Sequence, residues 1–132
     1  MIGIDTSVLV RYFTHDDDSQ WPIAHRLLQR ELTAEQPGFV SLVVLAETAW
    51  VLRSRYRTTQ HEIITIIESL LAAPNVAVQD ENAVWSALDD CQRLNIGFAD
   101  ALIASLSQHH GCATTLTFDT KAARLLSMSL LR

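Results

Sequence analysis

Four carboxylates in this chain interrupt apolar stretches. Asp5 ends Met1-Ile2-Gly3-Ile4, and Glu47 separates the run Phe39 to Ala46 from Ala49-Trp50-Val51-Leu52. Asp100 lies inside Ile96 to Ala104, and Asp119 closes Leu116-Thr117-Phe118. On a helix, Glu47 would have Val43, Val44, Trp50 and Val51 as its neighbours, and Asp100 would have Ile96, Gly97, Ile103 and Ala104. Burying a lone carboxylate costs several kcal/mol unless something compensates the charge. No Lys or Arg occurs in these stretches, so the pattern points to a cation. A hard divalent ion on oxygen ligands, Mg²⁺ or Mn²⁺, is the simplest candidate. Such an ion could orient water, lower its pKa and stabilise a phosphorane-like transition state, which makes phosphodiester hydrolysis the natural chemistry. Without it, crowded carboxylates must keep some of their protons.

The elements that must position these acids alternate between strand and helix. Strands are expected at Met1–Ile4 (buried), Phe39–Val40, Val76–Val78 and Thr114–Phe118. Helices are expected over Thr6–Phe13, from Ser19 to about Glu35, from Ser41 to Tyr56, from Thr58 or Thr59 to Ala73, from Asp80 to Leu94, over Phe98–His110 and over Thr120–Leu126. Ser19 and Ser41 read as N-caps, while Pro37-Gly38, Pro74-Asn75 and Gly111 read as stops. The helix that carries Glu47 is apolar nearly all round and is expected to be buried, with Trp50 and Trp85 in the core and Trp21 partly exposed. Met128–Leu131 leaves little room for a final strand. The class is therefore α/β, with a three-layer-like parallel sheet of four to five strands flanked by helices. The carboxyl ends of parallel strands share one edge, where Asp5 and Asp119 would converge. Asp100 falls in the first turn of its helix, where the dipole favours a negative charge.

At 132 residues the chain is expected to form a single domain, 1–132. Its formal charge is −5. The four acids contribute most of that excess, so the remaining surface is nearly neutral. A broadly basic face is absent, which counts against general nucleic-acid binding but leaves a local site open. Cys91 and Cys112 lack metal-binding or redox spacing and read as buried thiols in a reducing compartment. No signal peptide or membrane span is visible, so a cytoplasmic location is expected.

The segments Ile4-Asp5-Thr6-Ser7-Val8-Leu9-Val10, Ala46-Glu47-Thr48-Ala49-Trp50-Val51-Leu52, Phe98-Ala99-Asp100-Ala101-Leu102-Ile103-Ala104 and Leu116-Thr117-Phe118-Asp119 together resemble a PIN-domain ribonuclease. Among PIN proteins the resemblance is greatest to the toxin subunit of VapBC toxin–antitoxin systems. It implies a PIN-like fold and an Mg²⁺- or Mn²⁺-dependent endoribonuclease acting on single-stranded or structured RNA. It also implies inhibition by a small antitoxin protein, and a homodimer. Asp5, Glu47, Asp100 and Asp119 would take the catalytic and metal-binding roles, supported by Thr6 and Thr117. Many relatives carry a further Asp where this chain has Gly97.

Arg53, Arg55 and Arg57 are candidate RNA contacts, and they equally suit the C-terminal end of a helix dipole. Tyr56 between them could stack on a base or pack at the rim of the core. Asp16-Asp17-Asp18 reads as a solvated loop, and His109-His110 as residues flanking a helix end. Any single acid of the four could be a structural cap. Two alternatives compete with the nuclease. One is a non-catalytic PIN-like binding module. The other is an Asp-dependent phosphatase or phospho-acceptor, but Ser7 stands where the phosphatase needs a second acid, and the acceptor's early acid pair is missing.

Overall fold

Three short strands pair in parallel in the first half of the chain, in the order β1 (Ile2–Gly3), β2 (Gly38–Val40) and β3 (Val76–Val78). Each crossover is helical. α1 (Thr6–Thr14) and α2 (Trp21–Arg26, continued by a π-helical turn at Leu27–Glu31) connect β1 to β2. α3 (Leu42–Tyr56) and α4 (Gln60–Ala72) connect β2 to β3. The computed structural model describes all residues, Met1–Arg132, and divides them into two compact units, Met1–Gln79 and Asp80–Arg132.

In the first unit, Leu9, Val40, Leu45, Leu52 and Ile63 are fully enclosed. Gly38 in the central strand permits that packing. A Cβ there would lie 2.8 Å from Leu32 Cδ1 and 2.9 Å from Ile4 Cγ1. Ser41 caps α3, its Oγ accepting from Val44 N–H at 3.2 Å. Thr59 caps α4 in the same way, accepting from Glu62 N–H at 3.2 Å. α3 stops where Arg57 turns left-handed, at φ 53°.

Several expectations for this unit need correction. β1 is exposed, and only Ile4 beyond it is buried, because a two-residue edge strand is covered on too little of its surface. α3 is not buried all round: Val43 is 76% exposed and Trp50 60% exposed. An all-apolar helix carries no sequence signal for which face its neighbours cover. Ser19 does not cap α2. Asp17 Oδ1 instead accepts from the N–H groups of Ser19 and Gln20, at 3.0 and 2.8 Å, while Asp16 and Asp18 of the acidic loop are exposed, as expected.

The second unit contains α5 (Glu81–Leu94), α6 (Phe98–His109) and a parallel pair of strands, β4 (Thr115–Thr117) and β5 (Met128–Leu130). The buried Ser105 hydroxyl donates to the Ala83 carbonyl at 2.8 Å, tying α6 to α5. Ile96, Ala104, Ala122, Leu125 and Met128 form one apolar cluster. The helix expected over Thr120–Leu126 is only a 3₁₀ turn at Ala122–Arg124, and Leu125 is already extended. That early return allows β5, the final strand for which the sequence left little room. Trp85 and Cys112 are exposed rather than in the core, and Cys91 is buried. The fold is thus α/β, its five strands all paired in parallel and arranged as three plus two. No helix is long and apolar enough to cross a membrane.

Candidate active site

Asp5 occupies the N-cap position of α1, yet its side chain makes no capping hydrogen bond. Its Oδ2 instead accepts from Ser7 Oγ at 3.1 Å. An Asp at an N-cap normally satisfies an orphan N–H group of the first turn. Here the exposed carboxylate remains directed to other uses. Glu47 lies in the second turn of α3, and its Oε1 accepts a short hydrogen bond from the buried Thr6 hydroxyl. Thr6, expected to support the acids, therefore orients one of them.

Asp5 and Glu47 line the same cavity, of about 400 Å³, together with Thr6, Ser7, Val10, Arg11, Trp50, Val51, Arg55 and Tyr56. That volume lies within the range of roughly 300–1,000 Å³ typical of ligand sites. Arg11 and Tyr56 were not singled out as a pair by the sequence, and the turn explains why. Tyr56 donates its hydroxyl to Asp16 Oδ2 at 2.8 Å, and Arg11 Nη1 reaches Asp16 Oδ1 at 3.3 Å and Tyr56 Oη at 3.4 Å. Arg11 Nε also donates to Gln20 Oε1 at 2.7 Å. The Tyr56 hydrogen bond, then that of Thr14, and the Arg11 charge hold the Asp16 carboxyl below its ordinary range. Contacts of residues 40 apart in sequence leave no local pattern to read.

The three arginines of α3 separate. Arg53 Nη1 donates to the Thr58 carbonyl at 3.0 Å, just past the helix end. Arg57 is the left-handed C-cap residue. Arg55 lines the cavity with Asp5 and Glu47.

In the second unit Asp100 sits in the first turn of α6, half-buried and without a hydrogen bond. Burial, and then the charge of Asp119, raise its carboxyl above the ordinary value, while Lys121 pulls it down. Asp119 is exposed. Its Oδ1 accepts from the N–H groups of Lys121 and Ala122 at 2.8 and 3.1 Å, and its own N–H donates to Thr117 Oγ1 at 3.0 Å. Asp119 thus holds the N–H groups of Lys121 and Ala122 with one oxygen, and the other makes no hydrogen bond to them. Gly97 is the N-cap of α6, and a Cβ there would meet nothing within 4 Å. His109 and His110 end that helix, as expected.

The burial expected of the four acids holds for none of them in full: Asp100 is half-buried. Asp5, Glu47 and Asp119 are exposed, because each stands at an element's end or on its open face. What distinguishes them is their bonding rather than their depth. The first unit carries two of them with the hydroxyls of Thr6 and Ser7, and the second carries the two that repel each other. These are hard oxygen donors of the kind Mg²⁺ and Mn²⁺ take. In donor chemistry the residues fit a divalent cation, although no three His, Cys, Asp or Glu side chains are gathered into one metal-binding group.

The fold defines the class of the protein as α/β with parallel strands. The chain matches the family model described as PIN domain over residues 2–125 and belongs to the PIN domain family. PIN domains are generally nuclease domains that use divalent metals. No match is found among the curated proteins.

Proposed function

We propose that this chain is a metal-dependent endoribonuclease that hydrolyses single-stranded RNA, and that it is the toxin of a toxin–antitoxin pair. In this reading Met1–Arg132 act as one PIN-like domain in the cytoplasm, as a homodimer, and a small antitoxin protein restrains it. Asp5, Glu47, Asp100 and Asp119 hold Mg²⁺ or Mn²⁺. When bound, the ion supplies the positive charge that activates water and steadies the phosphoryl transition state. Thr6 fixes the Glu47 rotamer, and Thr117 fixes the turn that presents Asp119. Among the arginines, Arg55 is best placed for RNA, since it shares a cavity with two of the acids.

One observation carries the reading: Asp5 stands at a helix N-cap and does not cap it. A carboxylate withheld from the backbone where capping would stabilise the helix by roughly 1 kcal/mol is available to a ligand. The test is cleavage of end-labelled single-stranded RNA by the purified chain with Mg²⁺ or Mn²⁺, against EDTA and Asp119→Asn. Metal-dependent cleavage lost in the variant is expected. RNA cut equally in EDTA would end the proposal.

A second reading is a non-catalytic binding module of the same fold. It predicts RNA retention without cleavage under every metal condition.

A further inference from the structure

Trp50 is an exposed aromatic residue that lines the cavity of Asp5 and Glu47, where packing does not explain it. Tryptophan is mostly buried in folded proteins, and its N–H usually finds a partner. Trp21 behaves that way: it stacks on His15 at 3.7 Å and donates its N–H to the Tyr12 carbonyl at 3.2 Å. Trp50 is 60% exposed, its indole N–H makes no hydrogen bond, and it pairs with no other ring. It lies one helical turn beyond Glu47 on the open stripe of α3, which begins with Val43.

The company it keeps narrows the ligand. Trp50 lines the cavity that holds Asp5, Glu47 and Arg55. Arg11 on the same wall is engaged by Asp16, whereas Arg55 makes no ion pair and no side-chain hydrogen bond and is exposed. The cavity therefore offers a flat π face, one unengaged guanidinium and a pair of carboxylates. An apolar partner would leave Arg55 unmatched, and an acidic peptide would meet Asp5 and Glu47. A nucleotide matches all three groups on the nuclease reading: base on ring, phosphate on guanidinium, and the backbone beside the acids once a divalent cation offsets their charge.

We propose that Trp50 is a stacking platform for an unpaired base of the RNA, with Arg55 taking a phosphate of the same strand. This inference rests on the nuclease reading above and adds to it the residue that selects single strands. A base held in a duplex has no free face to offer the indole.

The test uses the full chain carrying Asp119→Asn, a change outside this cavity, and short oligoadenylate RNA, single-stranded or annealed to its complement. In one version Trp21→Phe and Trp85→Phe leave Trp50 as the sole indole emitter. Saturable quenching by the single strand, with far weaker quenching by the duplex, is expected. By anisotropy of labelled RNA, Trp50→Ala should weaken binding about 5- to 150-fold, the range for loss of one stacked base, and Trp50→Phe no more than about threefold. Unchanged melting temperatures would show that both variants fold. Equal affinity of Trp50→Ala and its parent would overturn the proposal. So would a drop in sedimenting mass of Trp50→Ala without RNA, which would make Trp50 part of an interface between copies. Cleavage by the unmodified chain with Mn²⁺ is scored separately. Stacking without cleavage would refute the nuclease reading alone, and cleavage indifferent to Trp50 would refute the stacking alone.

Discussion

The Thr6 hydroxyl donates its proton to Glu47 Oε1, joining the first turn of α1 to the second turn of α3 across 41 residues of sequence. Thr6 is buried and Glu47 is exposed, so the two residues depend on this bond unequally. Solvent can serve the carboxylate, but it serves the hydroxyl poorly.

Glu47→Ala should therefore destabilise the fold by about 1 kcal/mol, since it orphans a buried donor. Glu47→Gln keeps an acceptor in place and should cost less than about 0.5 kcal/mol. Both should abolish cleavage. Urea denaturation of the three proteins checks the stability order. Equal loss in Ala and Gln variants would mean that the charge, not the acceptor, holds Thr6.

Asp100 provides a test by pH. Its carboxyl titrates above the ordinary value because of burial and Asp119. The folded chain thus binds that proton more tightly than the unfolded chain does. The stability this group contributes is complete below the unfolded pKa and is lost as pH rises through the raised folded pKa. Asp100→Asn removes the loss. Its melting temperature should exceed that of the parent by about 1–3 °C at neutral pH, a figure discounted for solvent screening. The advantage should fade below about pH 4. Thermal melts across that range decide it, and a gain that persisted in acid would place its origin outside ionisation.

What the sequence made legible was local. Ser41 and Thr59 cap α3 and α4 where their side chains precede apolar periodicity, and Asp100 lies in the first turn of α6. Those features depend on a few adjacent residues. What stayed hidden depends on distant partners. Nothing near Val43 or Trp50 says that their face of α3 stays open. Nothing near Asp16 announces Tyr56 or Arg11. The helix expected over Thr120–Leu126 had the right propensity, but Asp119 takes the N–H groups of Lys121 and Ala122, and the chain returns into β5. The four acids stand out in the sequence by their apolar neighbours. Several of those neighbours are themselves open to solvent, Ile2 beside Asp5 and Val43 and Trp50 beside Glu47, so an apolar flank in sequence does not mean burial.

Gly97 stands where many PIN relatives are expected to carry another acid. Its φ of −60° and ψ of 148° suit an N-cap, and a Cβ would meet nothing. Gly97→Asp should fold normally, with a gain of a few tenths of a kcal/mol from capping. On the metal reading, saturating Mn²⁺ should raise the melting temperature of the parent by several degrees, because it binds the native state. The rise should be smaller in Asp5→Asn and larger in Gly97→Asp. Identical shifts in all three proteins would remove these acids from the metal site.

The ends of the cut RNA test which group takes the proton. A pathway through the ribose 2′-OH leaves a 2′,3′-cyclic phosphate and normally needs a general base such as His within hydrogen-bond reach. The cavity lined by Asp5 and Glu47 contains no His. His15 is stacked on Trp21, and His109 and His110 close α6. On the proposed mechanism water is the attacking group, the 2′-OH stays intact, and the bond broken is that between phosphorus and the 3′ oxygen. Products should carry 5′-phosphate and 3′-hydroxyl ends. The check is end-group analysis of RNA cut by the purified chain: a phosphate-dependent 5′ exonuclease should degrade the downstream fragment, and poly(A) polymerase should extend the upstream one. A fragment refractory to extension until treated with a phosphatase that opens cyclic ends would reject water attack. It would call instead for a general base acting on the 2′-OH.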